Sequence, residues 1–249
     1  MQTVEPKKKH KGCLVTLLVV IIFLGVIAGS IAIFLPGFFG PKDLGVKTSK
    51  TSYESAVAKL GYLKDKAPST GTAEDYAYHY GAVKSVDTTL TSEELTSFLG
   101  YNRPDYYALK KVQIRINEDN LELSATLDTD YFIDKVLSGK YSKEDIKNAI
   151  PVIHSIPKSV NIYSKIEGEI NSNQASNLAI SDVEVMGVGL PSSIYNSSKA
   201  QTEITNIVND YIETSIQKSS ANYETIKVQD GALVLKGEIP TSLTREVLE

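Results

Sequence analysis

The chain has 249 residues and a formal net charge of −4 at pH 7, with 42% of its residues hydrophobic, a composition that supports a buried core. Residues 1–12 hold four Lys and one Glu, so −7 falls on the remainder, and without clustered Lys or Arg such a surface excludes a nucleic-acid partner. The one cysteine, Cys13, lies near the start, so neither a disulfide nor a thiolate metal site staples residues 14–249.

Residues 13–35 carry no charge, and sixteen of them are Leu, Ile, Val or Phe. The span is long enough to cross a bilayer as one helix, and at about −0.3 to −0.6 kcal/mol per apolar side chain insertion is favoured by about 5–10 kcal/mol. It reads as a transmembrane anchor, with Leu14, Ile21, Phe23 and Ile33 among its anchoring residues. A cleaved secretory signal is the alternative, with Ser30 and Ala32 as its small residues, although the apolar run exceeds the usual core of about 7–15 residues. Lys7, Lys8, Lys9 and Lys11 crowd the start of the span. By the positive-inside rule they hold residues 1–12 in the cytoplasm and send the C-terminal domain outside, and they can reach anionic headgroups. Gly25 and Gly29 match the helix-pairing pattern G-x-x-x-G, which allows a homodimer through the anchor.

Pro36, Gly37, Gly40 and Pro41 then interrupt any helix, so residues 36–50 read as a linker. Thr51 and Glu54 form a capping box opening a short helix that ends at Gly61. From Tyr76 to Leu90 the chain reads as extended, with Tyr76, Tyr78 and Tyr80 on one face and Ala77 and His79 on the other. Thr91 and Glu94 form a second capping box, and Leu95, Phe98 and Leu99 give its helix an apolar edge before Gly100. A hairpin comes next. Pairing Ile116 with Leu121 and Ile114 with Leu123 gathers the apolar side chains on one face and selects a four-residue loop, 117–120. Asp128 and Asp130 read as caps of a short helix over 131–137 rather than as an acid/base or metal pair. Ser142 caps another short helix closed by Pro151.

The longest strand starts at Val160. Val160, Ile162, Ser164, Ile166, Gly168 and Ile170 share one face, while Asn161, Tyr163, Lys165, Glu167 and Glu169 share a wet one, which predicts an antiparallel sheet covered on one side. Leu178 and Ile180 are out of phase with Val183 and Val185, which places a bulge at Ser181 and Asp182. A long helix over 198–217 carries Ile204, Ile207, Val208, Tyr211 and Ile212 as an apolar stripe. That stripe is expected to pack on the hairpin after it, where Asp230 and Gly231 make a two-residue turn that sets Val228 opposite Leu233 and Ile226 opposite Leu235. The helix-then-hairpin order of residues 91–128 thus recurs, which suggests a pseudo-duplicated domain.

No nucleophile elbow, phosphate loop, dinucleotide fingerprint or zinc-protease motif is present, and His79 and His154 lack a ligand pattern. Ser155 with Lys158, and Ser215 with Lys218, match S-x-x-K without its companion motifs. No catalytic residue, metal ligand or cofactor is assigned. The basic tail, the single anchor, GPKDLGV, TLTSEEL, VQIRINEDNLELSATLD, EVMGVGLP and VQDGALVLKGEIP resemble uncharacterised single-pass envelope proteins of bacteria and, more remotely, tubular lipid-binding (TULIP-like) domains. The resemblance covers most of residues 41–240 and implies a long curved antiparallel sheet wrapped around a helix.

The expected fold class is α+β, with an N-terminal transmembrane helix, then an elongated antiparallel sheet packed on a long amphipathic helix, with short flanking helices, over residues 51–249. The expected function is that of a membrane-anchored extracytoplasmic binding module for an apolar or amphipathic ligand, a lipid or an envelope protein. Its lining is expected to come from Ile162, Ser164, Ile166 and Gly168 of the long strand and Ile204, Ile207, Val208 and Tyr211 of the long helix. The alternative is a non-catalytic scaffold at the cell surface.

Overall fold

The computed structural model describes residues 40–65, 75–101, 108–132 and 157–248. The anchor expected over 13–35 and the helix expected between Ser142 and Pro151 lie outside them. Among the described residues no helix is long and apolar enough to cross a membrane.

Helix α1 (Lys50–Leu60) ends on Gly61, as expected, with the left-handed backbone that glycine adopts at no steric cost. Its start differs from the sequence reading, because Ser49 and not Thr51 is the cap. The Ser49 hydroxyl accepts from the Ser52 amide at 3.0 Å, while its own amide is held by the Ser97 hydroxyl at 3.0 Å. A tertiary contact thus fixes the extended backbone that a cap needs. Helix α2 (Ser92–Gly100) carries the expected capping box of Thr91 and Glu94. The buried Glu94 carboxylate also accepts from Ser55 at 2.6 Å and Lys59 at 2.7 Å, which ties α1 to α2. Tyr53 stacks on Phe98 and Tyr101 beside it.

The fold is α+β with a mostly antiparallel sheet. Strands β1 (Leu63–Lys64), β2 (Tyr76–Tyr80) and β3 (Val83–Leu90) come first. Next are β4 (Leu109–Ile116), β5 (Leu121–Asp128), β6 (Ser159–Asn171), β7 (Gln174–Val185) and β8 (Val188–Gly189). The C-terminal part adds β9 (Asn222–Gln229), β10 (Ala232–Pro240) and β11 (Ser242–Val247). The short helix α3 (Thr129–Tyr131) is capped by Asp128, whose carboxylate accepts from the Tyr131 amide at 3.1 Å, and the rest of the helix expected to 137 lies outside the described residues.

Strand β6 is the hub, because it changes partner along one edge. It pairs with β5 from Ser159 to Ile166 and with β9 from Glu169 to Asn171, while β7 occupies its other edge from Ile162 to Asn171. Two arms therefore leave the same edge, β5–β4 and β9–β10–β3. They close on a common core in which Val112, Ile114, Ile116 and Ala125 pack against Val228 and Leu233. Both hairpin registers match the expected pattern: Ile116 faces Leu121, Ile114 faces Leu123, Val228 faces Leu233 and Ile226 faces Leu235. The free edge of β4 is covered by α2, where the Thr96 hydroxyl accepts from the Ile114 amide at 2.9 Å and donates to its carbonyl at 3.1 Å, which blocks strand addition.

The extended stretch before α2 is two strands, not one. Strand β3 joins β10 in the large sheet, whereas β2 turns at Gly81 and pairs with β11, with β1 parallel on the far side of β11. Tyr76 and Tyr78 are half-buried in that small sheet, and Arg245 pairs there with Asp65.

Helix α4 (Ser192–Tyr195) precedes α5 (Ser198–Ser219), which Ser197 caps. Here the expectation fails: α5 does not pack on the hairpin after it but lies along β7, with Asn209 accepting from the Ala175 amide at 2.7 Å. The apolar face of the hairpin β9–β10 is already taken: Leu233 and Leu235 join the cluster of Ala56 and Leu60 of α1, and Val228 that of Ile114 and Ile116 of β4. The two helix–hairpin units are accordingly not equivalent, since α2 covers its own hairpin and α5 does not.

Candidate functional site

Strand β7 carries one residue too many twice over. Between Tyr163 facing Glu184 and Lys165 facing Ser181, two β7 residues oppose Ser164, so the expected bulge is present, centred on Asp182 with its left-handed backbone. A second bulge at Asn177 faces Gly168. Bulges bend a strand and sharpen its twist, and α4 and α5 both pack against the bulged strand β7. Between the ribbon and these helices lies a pocket of about 140 Å³, partly open to solvent. Its floor is Ile162 and Ser164 of β6 with Val183 and Val185 of β7, Leu190 and Tyr195 close one end, and Ile204 of α5 overhangs it. The lining is almost wholly apolar. A pocket of this size and lining accommodates a small apolar body.

Of the eight lining candidates from the sequence, Ile162, Ser164 and Ile204 meet at this cavity. Ile166 is half-buried between Leu121 and Ile180. The expectation that Gly168 is an inward small residue leaving room is corrected: it is exposed at the point where β6 changes partner, with φ 141°. A Cβ there would lie 3.0 Å from the Leu178 Cα, so glycine answers a close backbone approach rather than an empty space. The helix stripe is corrected too. Ile212 is buried at 5% exposure, whereas Ile207 is 36% and Tyr211 77% exposed, because the C-terminal half of α5 turns its Ile212–Ser219 side inward; Val208 is half-buried between the two sides. Leu190 and Tyr195 escape a sequence reading, since no periodicity marks single apolar residues among Gly, Pro and Ser.

The opposite face of the ribbon, expected to be wet, is exposed at Glu167 but covered at Tyr163. Residues 42–46, assigned to the linker, cross it as a strap: Leu44 and Val46 are buried against Tyr163. The Leu44 amide donates to Gln113 at 2.8 Å. Lys42 lies 3.6 Å from the centre of the Tyr163 ring and pairs with Glu184 at 2.7 Å. The alternation of Leu44 and Val46 about Gly45 is the one signal for this in the sequence. Beneath the strap Glu122 is 4% exposed. Its carboxylate accepts from Arg115 at 2.7 and 2.8 Å, Tyr163 at 2.9 Å and Asn117 at 3.1 Å. Burial alone would raise this carboxyl, but the hydrogen bonds from Arg115, Asn117 and Tyr163 and the guanidinium charge outweigh it and hold it below the ordinary value. Burial, then the Glu122 hydrogen bond and charge, push the Tyr163 phenol up. A carboxylate so fully engaged is structural glue, and it leaves no free base for chemistry.

Among the described residues no group of three or more His, Cys, Asp and Glu gathers as metal ligands would. Ser215, of the second S-x-x-K, shares a hydrogen bond with the Tyr223 hydroxyl at 3.2 Å. Comparison of the chain with protein-family models, with curated proteins and with solved structures finds no match.

Proposed function

We propose that this chain is a membrane-anchored extracytoplasmic binding module for an apolar or amphipathic envelope ligand, held by residues 13–35 with its N-terminus in the cytoplasm. The observation that carries the reading is the apolar cavity of about 140 Å³ between the β6–β7 ribbon and the α4–α5 helices. A concave pocket with an almost wholly apolar lining is the kind of site that holds an apolar ligand group. The chemistry of the lining selects that occupant. Aliphatic side chains form the floor, and Glu184, which also borders the space, has its carboxylate paired with Lys42 of the strap on the other face. Such a lining favours the end of an acyl chain or a similar hydrocarbon group over a polar metabolite. The bent sheet against a helix is also the arrangement that the resemblance to tubular lipid-binding domains implies.

The test is mass spectrometry of lipids carried by the domain after release from membranes at a protease site placed ahead of Gly40, which spares the strap. A stoichiometric lipid or hydrocarbon ligand is the expected result. A domain free of ligand, released in folded form, would falsify the reading. In that event the exposed apolar residues Leu63, Tyr211, Val247 and Leu248 favour the second reading, a non-catalytic interaction platform.

A further inference from the structure

We infer that the strap fixes the domain on its own membrane with the cavity facing the bilayer, and that the flank of α5 formed by Ile204, Ile207 and Tyr211 docks on the lipid surface. This rests on the binding-module reading above and adds to it where the ligand comes from.

The strap gives the orientation. Traced towards the N-terminus, it starts over β4, where Leu44 is held by Gln113, passes over Tyr163 of β6, and reaches β7 at Glu184 through Lys42. The chain therefore leaves the domain across the edge of the sheet formed by β7 and its short partner β8, and α5 runs along β7, with Ile204 over the Ile162 and Val185 face. Back from Lys42, only residues 36–41 separate it from the end of the anchor span, so the two are at most about 25 Å apart even fully extended. A domain of about 200 residues has a radius of gyration of about 16 Å and is therefore about 40 Å across. A tether shorter than the domain is wide, attached at the β7 edge, keeps that edge towards the membrane.

What the edge presents there is apolar. Ile204, Ile207 and Tyr211 stand at i, i+3 and i+7, one row along the helix. Ile204 overhangs the cavity, while Ile207 and Tyr211 are exposed and Lys218 extends the row as a further exposed residue. Tyr and Lys are the residues that place an apolar body in the acyl region and a polar tip among the headgroups. A bilayer is the occupant that the short tether brings to this row, and an acyl chain can then pass into the cavity beneath Ile204 without crossing water.

The chain contains no Trp, so a single introduced Trp reports its own surroundings. The full chain is reconstituted into phosphatidylcholine vesicles containing a chain-brominated phosphatidylcholine, which quenches indole emission only on contact with acyl chains. Tyr211→Trp is expected to lose most of its emission, and Asp87→Trp, exposed on β3 at the far side of the sheet, to keep it. Inserting about 30 Gly and Ser residues between Gly40 and Pro41, which adds about 30 Å of flexible reach, is expected to restore the emission of Tyr211→Trp. Equal emission of the two variants would overturn the docking, as would quenching that survives the insertion. Both substitutions are at exposed sites, and an unchanged melting temperature checks that each variant folds. If lipid is found in the released domain while Tyr211→Trp stays bright, the binding reading stands and the docking falls.

Discussion

Ser164→Val distinguishes a cavity that is open to a ligand from a packed core. Ser164 lies on the cavity floor opposite the β7 bulge, and the exchange replaces a hydroxyl with two methyl groups inside a space of about 140 Å³. At about 0.8 kcal/mol per buried methylene-sized group the gross gain is about 1.5 kcal/mol; a β-branched side chain also suits a strand, with little χ1 freedom left to lose. A net stabilisation of about 1 kcal/mol raises the melting temperature of a domain this size by about 2–4 °C. The assay is thermal unfolding of the delipidated domain, paired with lipid mass spectrometry of the same variant as isolated. The expected outcome is a higher melting temperature together with less bound lipid. Gly168→Leu is the internal control. With φ 141° and a Cβ 3.0 Å from the Leu178 Cα, its strain of about 1–3 kcal/mol should lower melting without changing lipid content. A drop of several degrees in Ser164→Val would refute the reasoning, because overpacking a filled site costs about 1–3 kcal/mol and filling a void does not.

Three further outcomes are expected from the same geometry. Ile212→Ala removes a side chain that is 5% exposed and should cost about 2–4 kcal/mol, while Ile207→Asp, at a position 36% exposed, should shift the denaturation midpoint by less than about 1 kcal/mol; equal losses in urea titrations would mean that the α5 stripe is buried throughout. Gly237→Ala places a Cβ against the Asn222 carbonyl oxygen at φ 149°, in the bulge between β9 and β10, and should destabilise by about 2–4 kcal/mol, which a wild-type melting temperature would disprove. Glu94 and Glu122 titrate below their ordinary value of 4.5 despite burial, through the hydrogen bonds and charges of Lys59 and Arg115. Their contribution is therefore complete above about pH 5 and is lost as pH falls through the lowered folded-state values. Melting temperature should be flat above that point and fall below it, and the double variant Glu94→Gln, Glu122→Gln should flatten the acid limb; an unchanged limb counts against the assignment.

Features that depend on near neighbours are legible in the chain alone. The capping box of Thr91 and Glu94, the Asp128 cap, the left-handed stop at Gly61, the registers of both hairpins and the Asp182 bulge all come from side-chain spacing and turn chemistry within about ten residues. Whatever depends on which faces meet is settled only by the tertiary fold. A period-two strand says that one face is buried without saying by what, so Tyr163 reads as wet until the strap residues Leu44 and Val46 come to rest on it. An apolar helical stripe likewise specifies a demand for cover and not its supplier. The hairpin nearest to α5 in the chain already has its apolar face covered by α1, α2 and the β4–β5 arm, which leaves β7 to receive the helix and Ile207 and Tyr211 at the edge. Ser164 and Gly168 are alike as small residues in one row. The backbone separates them, since the change of partner on β6 puts a close approach at Gly168 and the bend of β7 opens a space at Ser164.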